Sequence, residues 1–233
     1  MNSTNNVKRS RRVPLARTLV AAIAMSACAI ASAQTAGTWM VKGGINHISP
    51  DVSSGDMSAS SLPGTKADVG SSTSMILSGA YMITDNISAE LCLGLPHKHN
   101  VYGDGAIKGS GKIGTVESLP PALFAQYRFL DPKARFRPYV GLGVIYAMTR
   151  KETGNAALTA LTNPGGQPTT FSVGSAWGFA GQIGGSYAIN EKWYVDFTAS
   201  KTFLKQTATF STGQQIDLRV DPVTVNLSVG YRF

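Results

Sequence analysis

The chain has 233 residues, 43% of them hydrophobic and 15% charged, with a mean hydropathy of +0.01. That composition excludes wholesale disorder, which goes with few apolar residues and high charge, and a near-zero hydropathy excludes a bundle of several membrane helices. Five of the net +8 charges (Lys8, Arg9, Arg11, Arg12 and Arg17) precede the first apolar run; the remainder carries +3, so the basic balance is no nucleic-acid footprint.

The basic start, the apolar stretch Leu19–Ile30 and the small triplet Ala31-Ser32-Ala33 make residues 1–33 a secretory signal peptide, cut between Ala33 and Gln34. The apolar stretch falls short of the roughly 20 residues a membrane helix needs. Ser10-Arg11-Arg12 resembles a twin-arginine signal, but Pro14 stands where that pattern has an aromatic. Met25-Ser26-Ala27-Cys28 resembles a lipoprotein box without its leading leucine, which leaves lipidation of Cys28 as an alternative. After cleavage at Ala33 the chain keeps one cysteine, Cys92, and no internal disulfide is available.

From there a two-residue apolar period, broken by Gly, Pro, Asn and Asp, predicts eight strands. The first covers about Thr38–Ile48. The second sets Met75, Leu77, Gly79, Tyr81 and Ile83 on one face, and the third Ile87, Ala89, Leu91, Leu93 and Leu95. The fourth runs from about Thr115 to Phe129, the fifth over Phe136–Met148, the sixth over Ser175–Ile189 and the seventh over Trp193–Phe203. The eighth alternates most cleanly, with Val223, Val225, Leu227, Val229, Tyr231 and Phe233 on one face.

Short turns at Thr84–Asn86, Leu130–Ala134 and Asn190–Lys192 alternate with long polar segments at Ser49–Ser71, His97–Gly114, Lys151–Phe171 and about Lys205–Ile216. That sorting of connections by length predicts an all-β, eight-stranded antiparallel up-and-down transmembrane β-barrel over residues 34–233. Aromatics such as Trp39, Tyr127, Trp193 and Phe233 flank the short turns as an interfacial girdle would. A soluble sandwich also alternates, but its loops are not sorted by length.

Several motifs carry a family likeness. Gly37-Thr38-Trp39, Thr84-Asp85-Asn86-Ile87, Leu119-Pro120-Pro121, Phe136-Arg137-Pro138-Tyr139-Val140-Gly141-Leu142-Gly143, Trp177-Gly178, Leu218-Arg219-Val220-Asp221-Pro222 and the closing Gly230-Tyr231-Arg232-Phe233 together resemble the OmpW family of small outer-membrane barrels. The resemblance spans essentially the whole mature chain. It implies a narrow, largely hydrophobic channel linked to passive entry of small hydrophobic molecules. Tyr231 and Phe233 resemble the signal that outer-membrane proteins present to the barrel assembly machinery.

An eight-stranded barrel is just wide enough for side chains to fill it, which excludes a wide aqueous pore. Parity turns Lys42, Glu90, Arg128, Arg137, Asp196 and Arg232 inward near the short-turn end. Buried charges persist when paired, so a network of Glu90 and Asp196 with these cations is expected to plug the periplasmic side. Farther up, the inward residues include Ile76, Ala122, Phe124, Gly143, Ile145 and Ala180, small or apolar and without charge, an entry path for an apolar solute. Pro120 and Pro121 lack the N–H a ladder needs. They lie about 19 Å above the lower rim at about 3.3 Å per residue and a 45° tilt, where an interrupted seam would release solute sideways into lipid; the alternative is a bulge that only shapes the strand.

Other signals are weaker. His97 and His99 share a face, but with only the distant His47 as a third ligand no metal site is expected. His47 with Ser49, or His97 with Glu117, has no spacing that compels catalysis, and an enzyme is not expected. Gly103–Gly114 lacks the strand–helix setting of a phosphate loop and reads as mobile loop, Cys92 as a buried filler. Lys98, Lys108 and Lys112 near the outer rim suit anionic lipopolysaccharide or plain solvation. The expected partners are outer-membrane lipid and lipopolysaccharide, the assembly machinery and small hydrophobic solutes, with no cofactor and no nucleic acid. The rival reading is a non-transporting structural or surface-receptor barrel that meets phage, bacteriocin or host.

Overall fold

Each inward–outward alternation becomes one stave of a cylinder in the computed structural model, which describes residues 34–59 and 61–233. The cleavage position Ala33, Cys28 and the rest of the N-terminal segment lie outside the described residues; Gln34 lies within them. Strands β1–β15 run in chain order. Eight of them form the barrel wall: β1 (Trp39–Ser49), β4 (Ser72–Met82), β5 (Ile87–Gly94), β8 (Ala122–Arg128), β9 (Phe136–Gly154), β11 (Ala176–Ala188), β12 (Trp193–Phe203) and β15 (Val223–Arg232). All neighbours are antiparallel, and β1 closes on β15 from Met40↔Arg232 to Ser49↔Val223. β11 pairs with both β9 and β12, so no wall strand keeps a free edge.

The outward face is apolar. Leu142, Trp177 and Phe179 are each at least 70% exposed, an apolar surface no soluble monomer sustains and a bilayer covers. No helix among the described residues is long and apolar enough to cross a membrane; the strands do the crossing. The short turns are pinned locally. Thr84 Oγ1 accepts from the N–H groups of Asn86 and Ile87, and Asn190 Oδ1 from those of Lys192 and Trp193. The girdle aromatics sit beside these turns, with Trp193 against Tyr231 at 5.1 Å and Tyr231 against Phe233 at 5.0 Å between ring centroids.

Two departures from the sequence reading matter. The fourth strand is two strands, because Pro120 and Pro121 break it between β7 (Lys112–Leu119) and β8. The long connections are also folded. β6 (His97–Gly105) forms a hairpin with β7, so Gly103–Gly114 is a hairpin end, and β3 (Thr65–Val69) pairs along β6. β10 (Phe171–Val173), β13 (Lys205–Phe210), β14 (Gln215–Arg219) and β2 (Ser53–Ser54) make a separate four-stranded sheet. The helix α1 (Ala156–Thr162) is capped by Asn155, whose side chain accepts from the Leu158 N–H. These pieces fold because their inner faces are apolar: Met57, Ile113, Leu158, Phe210, Ile216 and Leu218 form one buried cluster.

Candidate functional site

The lumen has three layers, each set by what parity turns inward. The lowest is ionic. Lys42 Nζ on β1 lies 2.9 Å from Glu90 Oε1 on β5 and 2.6 Å from Asp196 Oδ1 on β12, all three nearly or fully buried. Three of the four carboxylate oxygens are otherwise served, and Asp196 Oδ2 is buried without a hydrogen-bond partner. Ser78 Oγ donates to Glu90 Oε1 at 2.7 Å, and Gln126 Nε2 donates to Oε2. Tyr139 O–H and Thr198 O–H donate to Asp196 Oδ1 at 2.9 and 3.0 Å. One ammonium shared between two hydrogen-bonded carboxylates recovers in the low dielectric much of the several kcal/mol that burying each ion costs.

Two of the other sequence-predicted cations, Arg128 and Arg137, bond other groups than these carboxylates. Arg128 donates to Gln126 Oε1 at 2.7 Å and Ser88 Oγ at 3.0 Å, and its guanidinium lies 4.7 Å from the Tyr139 ring centroid. Arg137 is spent on carbonyls, those of Asp85 at 2.8 Å, Gln34 at 3.1 Å and Phe129 at 3.2 Å among them, and so ties two short turns to the N-terminal segment. Arg232 stacks over Tyr194 at 5.0 Å. The reason is position: these arginines lie nearer the turns, where carbonyls and rings are closer than either acid. Two tyrosines fill the remaining width, each lying over the glycine that is its partner on the neighbouring strand, Gly184 for Tyr139 and Gly230 for Tyr194. A Cβ at Gly184 would stand 2.5 Å from Tyr139 Cζ, and one at Gly230 would stand 2.1 Å from Tyr194 Cζ.

Parity alone places Tyr139 beside Arg137 and Tyr194 beside Asp196, a signal that a search for charges passes over. Gln34 has no such signal. It is buried and accepts from both Arg128 and Arg137 at 3.4 Å, while its Nε2 donates to Ser186 Oγ at 3.0 Å.

Above this floor is a cavity of about 60 Å³ with two unlike walls. One is the apolar set expected from the sequence, with Ile76, Phe124 and Ile145 of the solute path beside Cys92 and Ala122. The other wall corrects the expectation of a uniformly small and apolar cup: Asn46, Gln182, Thr198 and Asn226 face it from β1, β11, β12 and β15. It carries no charge but is polar, because on those strands the inward parity falls on amides and hydroxyls.

The uppermost layer is a vestibule of about 360 Å³. Its roof and sides come from the folded loops, with Met57, Val101, Leu158, Phe171, Phe210 and Leu218 among the lining. Ile48, Pro120, Ile145 and Thr224 line both spaces, so the vestibule and the cavity beneath it meet.

Pro120 faces the lumen. Pro121 sits beside it on the wall, its carbonyl accepting from Tyr146 N–H of β9 at 3.0 Å. On the opposite flank, pairing of β5 with β8 stops at Cys92↔Ala122 and resumes as β6 with β7 at His97↔Ser118. Between them Leu93–Pro96 faces Leu119–Pro121 without a paired residue. Pro96 is thus a third residue without an N–H at this seam, and parity flips there: Leu95 points out and His97 points in.

His97 and His99 stack inside at 6.0 Å, above the apolar belt, with His99 Nδ1 2.8 Å from the Gly70 carbonyl. His47 is on the exposed face, against Thr73 Oγ1 at 2.8 Å. Glu117 lies on the wall face away from His97, paired with Lys151 at 3.2 Å. Neither set is brought together. Lys98 and Lys112 are exposed and Lys108 reaches Asp104 at 3.5 Å.

Residues 35–233 match the model of the OmpW family. The chain is 34% identical over 224 residues to outer membrane protein W of Escherichia coli K12, covering 92% of this chain and 98% of that protein. It is 39% identical over 171 residues to outer membrane protein W of Salmonella typhi, covering 71% and 76%. Among solved structures, the outer membrane protein OprG of Pseudomonas aeruginosa superposes with a TM-score of 0.78 at 29% identity, covering 87% of this chain and 99% of that one.

Proposed function

The chain belongs to the OmpW family of outer-membrane barrels, and on that premise we propose that it is a passive conduit for small hydrophobic molecules, entered from outside and closed toward the periplasm. The observation that carries this reading is the apolar vestibule standing, with one small cavity between, over a buried ionic floor. An apolar solute gains roughly 25 cal/mol per Å² of surface it hides from water in the vestibule. Its way straight down is blocked, because parting Lys42 from Glu90 and Asp196 would strand buried charges. The lower-energy exit is sideways, through the seam where Pro96, Pro120 and Pro121 leave the ladder of β5 and β8 incomplete.

Lysines at the outer rim meet anionic lipopolysaccharide, and Tyr231 and Phe233 serve assembly. Tyr231 faces out beside Trp193, and the Phe233 N–H donates to the Trp39 carbonyl at 2.9 Å.

The test is uptake of n-octane across an outer membrane or an asymmetric lipopolysaccharide bilayer, with a barrel-free control. Pro120→Val with Pro121→Val restores two donors at the seam and should slow uptake several-fold while heat-modifiable migration of the folded barrel is kept. Uptake equal to the barrel-free control would favour the receptor reading. Uptake unchanged in the double variant would remove the lateral exit.

A further inference from the structure

Three side-chain atoms around the small middle cavity have no hydrogen-bond partner in the protein: Asn46 Oδ1, Asn226 Oδ1 and Gln182 Nε2. All three atoms are buried, and they come from three different strands onto one wall. Such groups cost about 1–3 kcal/mol each when left unserved, and satisfied polar groups are the rule in interiors. The other polar atom of each amide, Nδ2 of Asn46 and Asn226 and Oε1 of Gln182, is the one left for the cavity that these residues line: two donors and one acceptor. Facing them across the same cavity are Ile76, Phe124 and Ile145, and above lies the vestibule.

We propose that this cavity is a head-group site for a neutral amphiphile, a medium-chain primary amide or alcohol whose tail lies in the vestibule. The inference rests on the conduit reading and narrows its substrate class. The carbonyl of a primary amide accepts from Nδ2 of Asn46 and Asn226 while its N–H donates to Gln182 Oε1; a hydroxyl supplies one donor and an acceptor. The volume of about 60 Å³ suits a head of three or four heavy atoms, since one water needs roughly 10–15 Å³ by the same measure.

Charge at the base selects for a neutral head. Glu90 lines the cavity floor, already engaged by Lys42, Ser78 and Gln126. An anionic head would shed its hydration beside a Lys42 that Glu90 and Asp196 already hold. A cationic head would shed its hydration beside a Glu90 whose charge is already met. A pure alkane fills the vestibule but leaves the three amides without a solute partner, so it gains only the apolar part. The local chain geometry supports the wall. Asn46 pairs in register with Asn226 across β1 and β15, and Gln182 lies over Gly141, where a Cβ would stand 2.7 Å from its Nε2.

The test is a titration of the isotope-labelled barrel in lipid nanodiscs, reading the side-chain amide signals of Asn46, Gln182 and Asn226 together with vestibule signals from Val101 and Phe210. Octanamide should shift both sets and bind about tenfold tighter than n-octane, which should shift the vestibule set alone. In Asn46→Leu with Gln182→Met, octanamide should fall to the affinity of n-octane while n-octane is unaffected. Octanoate or octylammonium binding as tightly as octanamide would overturn the neutral-head assignment. Octanamide that leaves the three amide signals unmoved, with n-octane still shifting the vestibule, would overturn the head-group site alone. If neither solute moves the vestibule signals, it is the conduit reading that fails.

Discussion

The floor and the vestibule occupy the same cylinder and obey the same two-residue alternation, yet they are held by opposite means. At the floor Lys42, Glu90 and Asp196 are tied to one another and to Ser78, Gln126, Tyr139 and Thr198, with Asp196 Oδ2 left over, and the space is filled by Tyr139 and Tyr194 lying over Gly184 and Gly230. In the vestibule the lining is apolar, its elements are short, and about 360 Å³ stays open. The contrast teaches that the barrel wall is neutral about content: what parity turns inward decides whether a level is a lock or a receptacle. It also predicts that damage at the floor is felt by the whole barrel, while damage in the vestibule stays local.

The sharpest way to break that contrast is to remove the shared cation. Lys42→Met leaves two buried carboxylates without their ammonium and should destabilise the barrel by about 3–5 kcal/mol, read from urea unfolding in lipid vesicles. The uncharged triple variant Lys42→Met, Glu90→Gln, Asp196→Asn should regain most of the loss. A single variant as stable as wild type would mean that the floor is no lock.

Phe210→Ala in the small upper sheet should cost about 3 kcal/mol of local stability. Hydrogen exchange should speed up in β13 and β14 without moving the unfolding midpoint of the barrel; a shifted midpoint would merge the two regions into one cooperative unit.

Acid should separate the regions by a smaller step. Burial first, then the neighbouring His99, lowers the His97 pKa from 6.5 to about 4. The folded state therefore binds fewer protons than the unfolded state between those values, so the contribution of His97 is complete above about 6.5 and is lost as pH falls toward 4. Amide protection in β6 should decline over that window in wild type and much less in His97→Phe; equal profiles would exclude His97 as the cause. The smallest effect belongs to the rim: Asp51→Asn removes the 3.0 Å exposed pair with Lys201 and should change stability by less than about 1 kcal/mol.

Much of this contrast is legible in the sequence because a strand keeps its parity from girdle to rim. Val223 to Phe233 announces an outward face at every second residue, and the same counting turns Lys42, Glu90 and Asp196 into one lumen. Counting cannot tell which ions meet. Lys42 bridges both acids because β1 has β4 and β5 on one side and β15 and β12 on the other, a fact of closure that no single strand carries. Gln34 escapes because it precedes the first periodic residue. The upper sheet escapes because its partners are far apart in the chain, as in Ser54 with Leu218, and its alternation is diluted by Gly, Ser and Thr. Pro96 escapes because the parity flip beside it looks, residue by residue, like the start of a loop.

The central claim is that an apolar solute fills the top of the lumen and is stopped at the ionic floor. Intermolecular NOEs from n-octane to the methyl groups of the barrel in nanodiscs read this directly. The account predicts contacts to Ile145 and Ile216 and none to the inward methyls of Met40 and Met82, which are buried at the periplasmic end. Contacts to Met40 and Met82 of the same strength as those to Ile145 would contradict it.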